Sequence, residues 1–569
     1  MDLLQEYKIW VSHTKDDAEL AAELASIADD AAAIEDRFYR DLEFGTGGLR
    51  GVLGAGTNRM NVYTVAKASQ GCAAYWLAHF SEPSVAIAYD SRIGSEQFAR
   101  TAAEVFWANG VRVHIYPRLM PTPSLSFAVR DLGCCGGIVI TASHNPAKYN
   151  GYKVYGPDGC QITTEAAGEI QRCIDAVRPF GDVRRVPFEE GLRTGGIARI
   201  GEDTVERYLN AVQGTSVLPR SVPRDISIVY TPLNGTGISC VPRCLRAQGF
   251  TDISIPPQQE RPDGHFPTCP YPNPEIPEAL SVAVALAKER GSELVLATDP
   301  DCDRVGAAVT ANGETVLISG NEMGALLFDF ICRMRREAGT MPARPVAVKT
   351  IVTTPLAAKI AREYGVELID VLTGFKFIGE QIGLLERAGE EERYIFGFEE
   401  SYGYLSGTFV RDKDAVNASL LVCELFAWYR SRGLTLLDGL RQLQEKHGYY
   451  SSSLHTFAFE GSAGFARMQA LMNALRAEPP RAVAGLAVLS VTDYRASRTV
   501  WADGREEPVS LPVSDVLRYC LAGGAEAVVR PSGTEPKLKL YVTGTGADEA
   551  SARAAAGAIA AEFTARCGA

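Results

Sequence analysis

Three segments of this 569-residue chain repeat one pattern: an apolar run rich in β-branched residues, a polar loop, then the start of a helix. SVAIAYDSRIGSEQFA begins at Ser84, ISIVYTPLNGTGISCVPRCL at Ile226 and VAVKTIVTTPLAAKIA at Val346. Buried strands alternating with helical stretches signal parallel α/β layers, because the helix that carries the chain back covers a face of the sheet. Copies about one domain length apart predict three related mixed α/β domains in series. The tail differs: SLHTFAFEG, LAVLSVTDY and LKLYVTGTG surround helical stretches, as in a smaller α+β domain. Turn-rich stretches near Thr194–Gly196, Gly313–Gly320 and His447–Ser453 divide the chain into 1–195, 196–318, 319–450 and 451–569. The first forty residues read as a long, Ala-rich amphipathic helical extension, and the Pro-rich stretch Pro256–Pro277 as a loop inside the second domain.

Composition excludes several functions. Lys plus Arg is 57 and Asp plus Glu is 69, a formal net charge of −12. Such a chain is a poor general partner for nucleic acid or an anionic membrane, so an anionic ligand must be held by local arginines and lysines. No apolar run reaches the roughly 18 residues a membrane span needs. The start, MDLLQEYKIWVSHTKDD, carries acids at Asp2 and Glu6 and lacks the basic-then-apolar order of a signal peptide. The 13 cysteines show no CxxC pair and no Cys/His zinc spacing, so they read as reduced, packed thiols. The cytoplasm is the expected compartment.

Chemistry-bearing residues gather where apolar runs end. TASHNPAKYNGYK (Thr141–Lys153) follows GGIVI, which puts Ser143 at a strand end, where ligands bind in open α/β sheets. His144, Lys148 and Lys153 supply basic groups nearby, although Ser, His, Asn and Pro also make ordinary turns. ATDPDCDRVG (Ala297–Gly306) follows ELVLA and sets Asp299, Asp301 and Asp303 at alternate positions, with Arg304 next. Hard carboxylates so spaced suit Mg²⁺, and the EF-hand pattern is missing. IFGFEESYGY (Ile395–Tyr404) offers Glu399, Glu400 and Ser401 among glycines, able to bond sugar hydroxyls or to form an acidic surface turn. TGFKFIG (Thr373–Gly379) and VRDKDAV (Val410–Val416) add Lys376 and Lys413. VVRPSGTEPKLKLYV (Val528–Val542) collects Arg530, Ser532, Gly533, Thr534 and Lys537 around a tight turn, suited to a phosphate and unlike the P-loop of ATPases. FGTGGLRG (Phe44–Gly51) reads as an exposed loop with Arg50.

Together and in this order, TASHNP, DPDCDR, FEES and RPSGTEPK resemble the α-D-phosphohexomutase superfamily, over nearly the whole chain. The resemblance implies four domains around a central cleft. It also implies reversible phosphoryl transfer on small-molecule sugar phosphates, with glucose 1,6-bisphosphate as activator and intermediate. By position, Ser143 matches the phosphoserine, and Asp299, Asp301 and Asp303 with the Ser143 phosphate match the Mg²⁺ ligands. Lys153 matches the general base, for which a lowered pKa would suit, with His144 beside it. Arg50 and Arg304 match active-site arginines; Glu399 and Ser401, with Thr373, Gly374, Lys376 and Lys413, match the sugar-reading side. Arg530, Ser532, Gly533 and Thr534 match the phosphate loop. Pro300 and Cys302 stand where many relatives have glycine. FEESYG resembles bacterial phosphoglucomutases near the phosphoglucomutase-2/phosphopentomutase branch. Phosphopentomutase, phosphomannomutase and bisphosphate synthase activities stay open, as do a serine/metal phosphatase and a non-catalytic sugar-phosphate sensor.

Overall fold

The computed structural model describes residues 3–45, 47–311, 313–459, 461–532 and 537–567. The chain divides into two compact units. One comprises Met1–Ile318, Gly379–Tyr394 and Tyr402–Trp428; the other comprises Ser319–Ile378, Ile395–Ser401 and Tyr429–Ala569.

The first unit opens with helices Leu3–His13, Ala18–Ser26 and Ala31–Phe38 rather than one long helix. The breaks are capping signals: the Asp17 and Asp30 carboxylates accept from the N–H groups of Leu20 and Ala33 and start new helices. Their apolar faces bury Trp10, Leu20, Leu24, Ile34 and Phe38 as a cluster of their own, packed on Tyr63 and Phe180.

Six strands form the first sheet: β1 (Gly48–Val52), β2 (Ser84–Tyr89), β3 (Arg112–Ile115), β4 (Gly136–Ile140), β5 (Tyr149–Tyr155) and β6 (Ile197–Arg199), in the order β1-β5-β4-β2-β3-β6. β4, β2, β3 and β6 run parallel; β5 is antiparallel to β4 and β1. β6 carries this sheet past residue 195, and Gly195 only ends the preceding helix in a left-handed turn. The second sheet repeats the plan. β7 (Ile228–Thr231), β8 (Ile253–Ser254), β9 (Leu294–Thr298), β10 (Val305–Ala311) and β11 (Glu314–Ile318) lie in the order β11-β10-β9-β7-β8. In each, a central strand has parallel neighbours on both sides and an antiparallel strand beyond one of them. The chain therefore reverses its winding direction at β2 and at β7, which opens a crevice at the strands' carboxyl ends.

Within FGTGGLRG the second half is not loop but β1, so Arg50 stands on an edge strand opposite Gly151. Glycine is required at Gly48: its φ is +145°, and a Cβ there would lie 1.9 Å from the Tyr152 carbonyl.

In the second unit β12 (Val346–Thr350), β13 (Glu367–Val371) and β14 (Tyr394–Glu399) lie in the order β13-β12-β14, with β12 parallel to β13. Beyond them an eight-stranded sheet spans Tyr449 to Gly546. Its strand pairs are antiparallel, and helices Gly461–Ala477 and Glu549–Cys567 contribute Met468, Met472, Ile559 and Phe563 to its core. This is the α+β tail expected from the sequence. Ile351, Val352 and Leu372, past the ends of β12 and β13, pack with Tyr494, Val516, Val528 and Tyr541 of the tail.

Candidate active site

Three of the motifs occupy one structural position. TASHNP follows β4, DPDCDR follows β9 and FEES spans the end of β14, each the third strand of its repeat. Each of the three turns has a non-glycine residue in the left-handed region: Ser143 (φ +51°), Cys302 (φ +55°) and Tyr402 (φ +63°). Such strain persists only where surrounding contacts hold it, and it concentrates at functional loops.

In the first unit the serine and aspartate loops meet. Ser143 Oγ donates to Asp299 Oδ2 at 2.6 Å and lies 3.1 Å from His144 Nδ1. The carboxylates of Asp299, Asp301 and Asp303 are fully buried, with one oxygen of each within 4.8 Å of the others. Asp301 Oδ1 and Asp303 Oδ1 are buried without a hydrogen-bond partner among the described residues. Buried carboxylate oxygens are costly unless a cation meets them, so these residues fit a hard divalent ion. The turn itself is held by Asp299 Oδ1, which accepts from the N–H groups of Asp303 (3.1 Å) and Arg304 (3.0 Å).

Two lysines face this cluster. Lys153 Nζ is 2.9 Å from Asp301 Oδ2 and 3.3 Å from Asp303 Oδ2. Lys413 Nζ is 2.9 Å from Asp303 Oδ2 and 3.4 Å from Asp412 Oδ1. Burial disfavours the Lys153 ammonium, but Asp301 and Asp303 outweigh it, and its pKa moves up. This is not the lowered pKa that would suit a general base, because the nearest neighbours of Lys153 are carboxylates. His144 goes the other way. Burial first, then Arg304 and Arg50, hold its pKa well below the usual value, so the imidazole is neutral. Burial and the two neighbouring aspartates raise Asp299 well above the carboxylate range, whereas Lys153 overcomes burial and lowers Asp301.

The other sequence candidates divide between the units. Arg50 is exposed on β1. Arg304 pairs with Glu275 at 2.6 Å. Lys413, expected on the sugar side, stands at the aspartates of the first unit, while Thr373, Gly374, Lys376, Glu399 and Ser401 belong to the second. Glu399 is buried at the end of β14; Glu400 accepts from Thr350 Oγ1 at 3.1 Å. Thr373 Oγ1 is buried without a hydrogen-bond partner among the described residues. In the same unit Tyr541 is hydrogen-bonded by Arg530, and burial, then Glu400, push its pKa up. Arg530 lies near the end of a strand, Glu526–Pro531, paired antiparallel with Lys537–Gly546, and Ser532 N–H donates to Lys537 C=O at 2.7 Å. Gly533 and Thr534 lie outside the described residues.

The sequence reading missed several supports. Arg92 and Asp90, in the loop after β2, hold the Ser143 loop from behind. Thr122 Oγ1 donates to Asp301 Oδ2 at 3.1 Å, and Tyr155 donates to Asp412 at 2.7 Å. Only YDSR carried a signal, since it also ends a repeat strand.

Four family models match residues 41–179, 206–313, 319–446 and 471–561, as alpha/beta/alpha domains I, II and III and the C-terminal domain of phosphoglucomutase/phosphomannomutase. The chain belongs to the phosphoglucomutase/phosphomannomutase family. Among curated members, phosphoglucomutase of Staphylococcus aureus (strain bovine RF122 / ET3-1) is 37% identical over 89% of this chain and 90% of its own length. That of Staphylococcus haemolyticus is 36% identical over 90% and 91%. The crystal structure of a Thermus thermophilus protein, described as a phosphomannomutase by assignment, shares the fold at TM-score 0.68 and 21% identity, over 93% of this chain and 100% of that one. No helix among the described residues is long and apolar enough to cross a membrane.

Proposed function

We propose that this chain is a phosphoglucomutase that interconverts glucose 1-phosphate and glucose 6-phosphate, with Ser143 as phosphoryl carrier and glucose 1,6-bisphosphate as intermediate. The observation that carries this reading is the serine hydroxyl held 2.6 Å from a buried aspartate cluster, with two lysines on the cluster's other oxygens. The substrate assignment rests on the relatives named phosphoglucomutase.

Asp299, Asp301 and Asp303, with the phosphate on Ser143, are the proposed Mg²⁺ ligands. Bound there, Mg²⁺ would neutralise charge on the transferring group, the main task in phosphoryl transfer. The proton inventory belongs to the protein. When the bisphosphate phosphorylates the serine, a P–O bond to the sugar breaks and a P–Oγ bond forms. The Ser143 proton passes to neutral His144, whose Nδ1 is within hydrogen-bond reach. The Lys153 ammonium supplies a proton to the departing sugar oxygen. In the reverse half-reaction Lys153 takes the sugar hydroxyl proton back. Lys413 holds Asp303, and Arg50 and Arg304 add positive charge around the entering phosphate. In the second unit, Glu399, Ser401, Thr373, Gly374 and Lys376 are assigned to sugar hydroxyls, and Arg530, Ser532, Gly533 and Thr534 to the non-reacting phosphate. Buried free thiols among the described cysteines support a reducing compartment, the cytoplasm.

Intact-protein mass spectrometry of active enzyme should find one phosphate, absent from Ser143→Ala, and Ser143→Ala should lose nearly all mutase activity while keeping its melting temperature. Full activity in Ser143→Ala refutes the carrier role. A coupled assay on glucose, mannose, glucosamine and ribose 1-phosphates, with and without added glucose 1,6-bisphosphate, tests the sugar. Phosphate release without isomerisation would make the chain a phosphatase instead.

A further inference from the structure

Arg92 has no part in the reaction described above, yet its side chain is wholly buried. Both terminal nitrogens of its guanidinium are spent on one loop. Nη2 donates to the carbonyls of Ser143 (2.5 Å) and Asn145, and Nη1 to those of Pro146 (3.0 Å) and Tyr149 (3.0 Å). Asp90, also wholly buried, stands 3.4 Å from Nε, and the Phe266 ring packs 5.1 Å from the guanidinium carbon. The same segment ties the loop's far end: Asn150 Nδ2 donates to the Ile93 carbonyl and to Ser95 Oγ, each at 3.0 Å, and Ser95 Oγ donates to Asp90 at 2.7 Å.

We propose that Arg92 is a positioning residue for phosphoryl transfer, fixing the 143–149 backbone so that Ser143 stays in the left-handed conformation that aims Oγ at Asp299. This rests on the carrier role of Ser143. The physical argument has two parts. A serine at φ +51° is strained and relaxes unless its neighbours hold it. Four carbonyls pointing at one place need a donor with several N–H groups in a rigid plane. Guanidinium meets that need, and an ammonium, a compact point charge, cannot span them. The Ser143 carbonyl is itself one of the four, so rotation at Ser143 would break the grip.

Arg92→Lys keeps the charge opposite Asp90 and removes the planar fork. The transferring atoms lose registration, and a misplacement of about 1 Å costs about 100-fold in rate. The expected result is a drop of about 100-fold in kcat and in the rate at which glucose 1,6-bisphosphate phosphorylates Ser143. KM for glucose 1-phosphate and the Mg²⁺ Kd should change by less than about threefold, because the fork touches neither ligand. The double variant Asp90→Asn/Arg92→Gln removes both buried charges and should show the same split if Arg92→Lys does not fold. Rates at the wild-type level in a folded variant overturn the proposal, and so does a loss carried by KM or metal affinity. Failure of both variants to fold assigns Arg92 to the core and overturns it as well. Phosphorylation of the wild-type chain separates the two ideas: no phosphate on wild-type Ser143 overturns the carrier reading and this one with it. Labelling that persists undiminished in Arg92→Lys overturns only this one.

Discussion

Replacing Lys153 by methionine takes a positive charge from between two buried carboxylates at nearly constant volume. Lys153 Nζ is 2.9 Å from Asp301 and 3.3 Å from Asp303, whose side chains are 0% and 1% exposed. Removing one partner of a buried ion pair costs about 3–5 kcal/mol, since the other charge is left uncompensated. Lys413, 2.9 Å from Asp303, softens the loss, so the lower end, about 3 kcal/mol, applies when metal is chelated. At saturating Mg²⁺ the cation answers the same carboxylates, and the loss should shrink to about 1 kcal/mol, the net value of an ordinary hydrogen bond. The difference of about 2 kcal/mol must return as tighter metal binding, about 30-fold in Kd, because both legs close one thermodynamic cycle. Isothermal titration with Mg²⁺ measures the affinity, and thermal melts with and without EDTA measure the destabilisation. Mutase activity should stay low in the variant even at saturating Mg²⁺, since methionine carries no proton. An affinity that is unchanged or weaker, with equal destabilisation in EDTA and Mg²⁺, would show that Lys153 and the cation do not share these carboxylates.

Three further outcomes follow from the geometry. Burial pushes the Asp414 carboxyl up to about 7 although it accepts from Tyr208, Val416 and Asn417. Between about pH 4 and that value the folded state holds a proton the unfolded state has lost, so stability falls as pH rises through the window. Asp414→Asn should narrow the gap between melting temperatures at about pH 5 and pH 8, and an unchanged gap refutes the assignment. A Cβ on Gly237 would lie 2.1 Å from Tyr230 Oη, 2.5 Å from Thr298 Oγ1 and 3.1 Å from Cys302 Sγ, directly behind the aspartate turn. Gly237→Ala should cost about 1–3 kcal/mol by overpacking and weaken Mg²⁺ binding; wild-type metal affinity would disconnect this contact from the turn. Arg530→Ala should raise KM for glucose 1-phosphate and make turnover more dependent on added bisphosphate, and kinetics at wild-type values would remove Arg530 from the phosphate site.

Local pattern was enough for much of this molecule. Alternation of β-branched runs with helical stretches specifies parallel α/β layers wherever it occurs, and the three repeats at Ser84, Ile226 and Val346 became β2, β7 and β12 at corresponding places in their sheets. Asp299, Asp301 and Asp303 were legible because one short turn carries all three, so their proximity is covalent before it is tertiary. The caps at Asp17 and Asp30 were readable by the same local chemistry, and helical composition alone hid them. Other features depend on chain segments that meet only after folding. Nothing near Lys413 in sequence says that it will face Asp303 rather than a sugar, and nothing near Arg92 says that it will grip carbonyls beyond β4. The direction of the Lys153 pKa is of this kind too. Sequence neighbours suggested cations, but electrostatics acts through space and falls with distance, so the aspartates of the β9 turn, 2.9 and 3.3 Å away, decided it. Hydrophobic period and turn chemistry act between residues that are bonded neighbours, and so the sequence determined strands, helices and the acidic turn. Charge pairing and the strained serine act between residues that only the packed sheets bring together, and those the tertiary structure alone decided.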